Sequence, residues 1–295
     1  MKIAFTGNTF ARAYPEGLIT GYNVAAESLL EAFMRHGKAD ELLYLYEPGK
    51  YQENVIRRFA EERTVLSTGK KIELINEYDV LFHGVDQLKN VDILHSIKED
   101  VIPLLSMREK IGKPIPITFT FHSLAEPHLI WDTFIPMLML PFKPYDAMIC
   151  TSNAVVHFME KMFERIQKTF RENSLMLGMP KLRLEKVNLG VDTDYFCPME
   201  KNSLREKYGI PQDAFIILWF GRFSDCFKAD LFPLLHVFHK LTGSFPDKKI
   251  MLILAGSQER GTNYAGTLKE QITYMGLENR VHIVFNGQIK DRAEL

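Results

Sequence analysis

Apolar residues in this chain gather in short runs separated by longer stretches with helical spacing. The strand-like runs are Lys2–Thr6, Leu42–Tyr46, Val91–His95, Ile115–Phe121, Ala147–Thr151, Phe215–Phe220, Ile250–Ala255 and Val281–Phe285. Each is apolar at successive positions and stops near a Gly, Ser, Asn or His, the pattern of a strand covered on both faces. Between them lie helix candidates: Val24–His36, Asp100–Ile111, Asn153–Phe170, Ala229–Leu241 and Leu268–Met275. In the first of these Ala25, Leu29 and Phe33 recur every fourth residue and form one stripe. Strands alternating with helices predict an α/β fold with parallel sheets, because parallel neighbours must be joined by a crossover. Those crossovers are expected to be right-handed.

The alternation restarts after Asp192. The stretch Gly190–Pro198 has no period and closes with a proline, so two doubly wound domains are predicted, 1–196 and 197–295. The second holds three strand-like runs, against about 5–6 strands in a typical sheet. The chain stops at Asp291–Leu295, which reads as the opening turn of another helix. The second domain is therefore expected to be incomplete, with an exposed apolar patch beside Val281–Phe285.

Composition narrows the classes. Hydrophobic residues make up 46%, and 36 Lys and Arg stand against 37 Asp and Glu for a net charge of -1. That balance argues against a nucleic-acid partner. Cys150, Cys197 and Cys226 lie far apart and lack the spacing of a zinc site or a disulfide framework, which fits reduced thiols in a cytoplasm. The start is a strand running into a glycine turn rather than a secretion leader. Leu129–Phe142, the most apolar region, is broken by Asp132, Pro136 and Pro141 and is too short to span a bilayer.

Ligands of open parallel sheets bind beyond the carboxyl ends of the strands. The segment FIILWFGRFSDCFKADLFPLL ends a strand at Phe220, turns at Gly221 and places Arg222 next, with Lys228 six residues on, before a helix predicted to start near Ala229. A lysine there opposes the positive end of the helix dipole, so it makes sense with an anion between the two cations and the helix end. Arg offers a planar fork for phosphate oxygens and Lys a mobile point charge, which suits a diphosphate. A solvated arginine and a surface lysine remain the other reading of the same residues. Gly17 and Gly21 flank a strand-to-helix loop, where glycine lets backbone amides approach a ligand or simply makes a turn. Gly256 and Ser257 follow a second-domain strand. His122 and His95 each close a strand, as cleft residues or as core histidines bonded to backbone. Lys161, Arg165 and Lys168 form a basic stripe, a solvated face or a contact for an anionic membrane surface. Asp192 and Asp194 read as turn residues rather than metal ligands.

In chain order, KIAFTGNTF with EGLITGYN, DILHSI, ITFTFHSL, YDAMICTSNAV, VNLGVDTDYFCP, GRFSDCFKADLFPLLHVF, KKIMLILAGS and VHIVFNGQI resemble segments of glycosyltransferase family 4, which has the GT-B fold of two Rossmann-like halves. The resemblance implies a retaining, metal-independent transfer of a sugar from a nucleotide-diphosphate sugar to an acceptor, a glycan or a lipid-linked molecule, with no cofactor. It implies that Arg222 and Lys228 hold the donor diphosphate, that Gly17 and Gly21 face the donor, and that His122 stands near the reacting sugar. Gly221, Gly256 and Ser257 fall on the nucleotide side. The cysteines point to a cytoplasmic protein, and the basic stripe, where it is not simply a solvated face, to contact with the inner face of a membrane. Leu189 stands where the family has asparagine before Gly190, Ser123 follows His122, and the family's paired glutamates have no counterpart. A nucleotide-sugar-binding protein without catalysis, or a related sugar-nucleotide epimerase, are the alternatives.

Overall fold

The computed structural model describes residues 1–7, 21–47, 70–97, 100–121, 124, 128–226, 228–258 and 261–285. The chain forms two compact units, Met1–Gly190 and Val191–Leu295, with the division at the start of the Gly190–Pro198 stretch.

The first unit is built on seven strands: β1 (Lys2–Thr6), β2 (Glu41–Tyr46), β3 (Lys71–Asn76), β4 (Ile93–Ser96), β5 (Ile117–Thr120), β6 (Ala147–Cys150) and β7 (Arg183–Lys186). They lie in the order β3-β2-β1-β4-β5-β6-β7, and every pair is parallel. The order reverses between β1 and β4, the arrangement of a doubly wound nucleotide-binding sheet. Successive side chains of a strand point to opposite faces, and the core divides accordingly. Ile3, Phe5, Leu42 and Tyr44 pack with Ala26, Leu30 and Met34 of the helix Gly21–His36. Ala4, Leu43, Leu94, Phe119 and Met148 pack on the other side with Leu104 and Met107 of the helix Ile102–Ile111 and Met159, Phe163 and Ile166 of the helix Asn153–Glu172. Ser152 caps the last of these by accepting from the Val155 amide at 3.2 Å.

Strands β3 and β7 have no counterpart in the sequence reading. They are the two edges of the sheet, where one side is open and polar side chains are tolerated. The sequence Arg183–Lys186 (RLEK) is mostly exposed and carries no continuous apolar run to read. The broken apolar stretch near Trp131 folds as a π-turn, Ile130–Phe134, leading into the short helix Ile135–Met139.

A buried ion pair joins three pieces of this unit. Asp146 is fully buried and accepts two bonds from Arg108, at 2.6 and 2.8 Å, and one each from the amides of Ile117 and Lys143. Arg108 also donates to the Pro141 carbonyl at 3.1 Å. All these groups satisfy one another, which is what makes a buried charge tolerable.

The second unit has three parallel strands, β8 (Phe215–Phe220), β9 (Ile250–Gly256) and β10 (Val281–Phe285), in the order β10-β9-β8. Strand β9 is buried along its whole length. The helices Phe232–Ser244 and Tyr264–Tyr274 send Leu235, Phe238, Leu268 and Ile272 into one core with Leu252 and Leu254. The succession β8, β9, β10 repeats that of β1, β2, β3. Where β1 has β4 on its far side, β8 has no paired strand among the described residues. The exposed patch expected beside β10 is therefore found on β8 instead. Phe215 is 68% exposed, Leu218 44% and Phe220 59%, whereas Val281 of β10 is buried and Ile283, Val284 and Phe285 are half-buried. In a sheet that winds outward from its first strand, that first strand and not the third has the unfilled central edge.

Candidate functional site

The carboxyl end of the second sheet is held together by a close backbone approach. The Gly221 amide donates to the Ala255 carbonyl at 2.9 Å and the Phe223 amide to the Ser257 carbonyl at 2.8 Å, so the segments leaving β8 and β9 stay paired beyond the strands as far as a bridge between Phe223 and Gln258. A Cβ on Gly256 would stand 1.6 Å from the Gly221 carbonyl oxygen, which no side chain allows. Gly221 itself lies against the Trp219 indole, 3.0 Å from where its Cβ would sit. Phe223 is fully buried between Trp219 and Phe285, with ring centroids at 5.4 and 5.7 Å, and anchors the loop. Arg222 projects from this pinned turn, half-buried, beside Gly221, Gly256 and Ser257.

Lys228 follows on a turn closed by the Ser224 carbonyl, which accepts from the amides of Lys228 and Ala229 at 3.1 Å each. Its side chain is exposed. The expected helix start near Ala229 is not observed, and the helix begins at Phe232. Its first donors are already engaged: the Phe232 amide by the Asp230 carboxylate at 3.0 Å and the Leu231 amide by the Tyr264 hydroxyl. Tyr264 also donates to Asp230 at 3.1 Å. The first amides of this helix are thus engaged by the protein's own Asp230 and Tyr264. Between Gly221 and Leu231 two cations, Arg222 and Lys228, meet two carboxylates, Asp225 and Asp230.

Asp230, Tyr264 and Gln258 were missed in the sequence. Gln258 holds the start of the helix Tyr264–Tyr274, accepting from the Ala265 amide at 3.1 Å and donating to Thr262. Asp230 ahead of Leu231-Phe232-Pro233 is a readable helix-start signature. The Tyr264 partnership joins residues 34 apart and has no local signal. Burial, first, and then its bond to Asp230 push the Tyr264 hydroxyl up to about 12.

The other candidates fall in different places. His122 and Gly17 lie outside the described residues. Gly21 opens the helix Gly21–His36, with no described atom within 4 Å of a would-be Cβ. His95 is a core residue of β4: its Nδ1 shares a hydrogen bond with Thr118 Oγ1 at 2.8 Å, and its ring meets Phe5 edge-on at 5.4 Å. Lys161 and Lys168 pair with Glu164 and Glu172 along their exposed helix face. Asp192 acts as a turn residue, its carboxylate accepting from the amides of Asp194 and Tyr195. The three cysteines are free, and burial pushes the Cys150 thiol up to about 11. Among the described residues no helix is long and apolar enough to cross a membrane.

No family model matches the chain. A D-inositol 3-phosphate glycosyltransferase of Catenulispora acidiphila is 28% identical over 109 residues, 37% of this chain and 25% of that protein. Another from Kribbella flavida is 20% identical over 173 residues, 58% of this chain and 39% of that protein. The matches thus span a quarter to two-fifths of the curated relatives' length. Among solved structures, a glycosyltransferase from Rickettsia africae superposes with a TM-score of 0.60 at 16% identity, covering 99% of this chain and 69% of its own. The Anabaena protein HepE, solved with UDP and glucose, gives 0.57 at 16% identity, covering 97% and 70%. A trehalose-6-phosphate synthase gives 0.57 at 14% identity, covering 100% and 75%. In fold this chain is a GT-B protein of two Rossmann-like units, and part of its sequence is similar to D-inositol 3-phosphate glycosyltransferases.

Proposed function

We propose that the protein is a glycosyltransferase that takes a sugar from a nucleotide-diphosphate donor, and that Arg222 and Lys228 hold the donor's diphosphate. The observation that carries this reading is the pinned Gly221–Arg222 turn at the carboxyl end of β8, the strand that corresponds to β1 and therefore marks the usual ligand-binding position of such sheets. As the glycosidic bond breaks, negative charge grows on the leaving diphosphate. An arginine fork and a lysine at fixed positions stabilise that charge, which is the reason for reading the transfer as independent of metal. The family resemblance supports retention of configuration at the transferred sugar and assigns His122 to the reacting sugar. UDP and glucose in the HepE structure make UDP-glucose the first donor to try.

The test is transfer itself. The protein is incubated with UDP- and GDP-sugars and a panel of sugar, polyol and lipid-linked acceptors, and the product's anomeric configuration is read by proton NMR. A product that keeps the donor's configuration is expected. Inversion rejects the retaining assignment. Nucleotide binding without transfer to any acceptor favours the inactive binder, and interconversion of one nucleotide sugar into another favours an epimerase.

A further inference from the structure

Thr120 is the last residue of β5, and its hydroxyl is buried with no hydrogen-bond partner among the described residues. The side chain is 4% exposed. A threonine is a strange choice for such a position, because burying an unsatisfied hydroxyl costs free energy that valine, of nearly the same shape, would not. The surroundings show why the hydroxyl is not simply part of the core. Phe119 and Phe121, its neighbours in sequence, both join the large apolar core on one face of the sheet. Thr120 points to the opposite face, together with Thr118 two residues before it. Across the ladder it stands in register with Ile149, which belongs to no core cluster. Both Thr118 and Ile149 are half-buried, so this part of the face lies near solvent. Thr118 Oγ1 is already committed to His95 Nδ1 at 2.8 Å, which leaves Thr120 as the hydroxyl with capacity to spare. It sits at the carboxyl end of a strand adjoining β4, beside the point where the strand order reverses and where ligands of such sheets bind.

We infer that the Thr120 hydroxyl is a substrate-facing group of the first unit, donating to or accepting from a hydroxyl of a sugar or polyol bound at the carboxyl end of β5. The inference rests on the glycosyltransferase reading for the class of ligand, but on β5 alone for the residue. A hydroxyl can both donate and accept, so it suits a polyhydroxylated molecule better than an anion.

The experiment compares wild type, Thr120→Val and Thr120→Ser. Melting temperature is measured without ligand, and binding is measured by calorimetry with UDP, with GDP, and with a panel of monosaccharides, myo-inositol and their phosphates. For Thr120→Val a melting temperature equal to or above wild type is expected. Its affinity for whichever panel member binds should fall roughly three- to tenfold, the scale of one neutral hydrogen bond, with nucleotide binding unchanged. Thr120→Ser should restore the affinity. Unchanged sugar affinity in Thr120→Val overturns the inference, and so does a lowered melting temperature, which would show the hydroxyl holding the fold together. A wild type that binds nucleotide but no panel member overturns the inference and leaves the glycosyltransferase reading standing. A wild type that binds neither overturns both.

Discussion

Gly256 is the residue on which the geometry of the proposed donor site turns. The Gly221 carbonyl occupies the place of its missing side chain, so Gly256→Ala must push the β8 exit away from β9 and move Arg222 with it. Overpacking of this kind costs about 1–3 kcal/mol. The variant should melt lower than wild type and bind nucleoside diphosphates more weakly, as checked by thermal unfolding and titration. Unchanged affinity would show that the turn does not position the site. His122 is proposed to serve a different step. If it touches the reacting sugar, His122→Ala should lower kcat by more than it weakens nucleotide binding, whereas an equal loss in both would assign it to donor binding. Among single residues, the position of Gly256 was legible in the sequence, because so close a backbone approach needs glycine.

At the scale of elements, the second unit depends on a tie between its two helices. The Tyr264 hydroxyl accepts from the Leu231 amide and donates to Asp230, which itself caps the helix Phe232–Ser244. Tyr264→Phe leaves the Leu231 amide without that acceptor and should cost about 1–3 kcal/mol, read by denaturant unfolding. Burial of the Tyr264 hydroxyl, and then its bond to Asp230, sets a pH dependence. The hydroxyl is raised from 10.0 to about 12, so the folded form holds its proton more tightly than the unfolded form. Its contribution is complete below pH 10.0 and is lost as pH rises through about 12. In Tyr264→Phe this part of the alkaline loss should vanish. Asp146 plays a comparable role in the first unit, where Asp146→Ala leaves Arg108 buried and unpaired and should cost about 3–5 kcal/mol. Interior strands and long amphipathic helices were readable because burial on both faces imposes apolar runs. Edge strands β3 and β7, and the delayed start of the helix after Lys228, were not. An open edge relaxes the pattern, and a cap made by a side chain distant in sequence leaves no local trace.

For the whole molecule, two units joined through an exposed segment predict where the chain is open to cleavage. Residues 187–200 are exposed throughout and contain no helix or strand until the helix Lys201–Lys207 begins. Limited chymotrypsin digestion should cut first after Tyr195 or Phe196 and release two resistant fragments, because exposed backbone outside helices and strands is cleaved ahead of packed elements. First cuts inside Asn153–Glu172 or Phe232–Ser244 would contradict the division into units. The matching succession of β1-β2-β3 and β8-β9-β10 gives the two units a common plan, and the proposed assignment of the donor's diphosphate to the end of β8 rests on it. The most direct test of that assignment is calorimetric titration of UDP, GDP and ADP into wild type, Arg222→Ala and Lys228→Ala. At least one nucleotide should bind wild type, and Arg222→Ala should weaken it by about 1.5–3 kcal/mol, the range for a charge-assisted hydrogen bond. Lys228→Ala should weaken the same nucleotide and leave the melting temperature of the free protein unchanged. Nucleotide affinity that survives both substitutions unchanged would contradict the account.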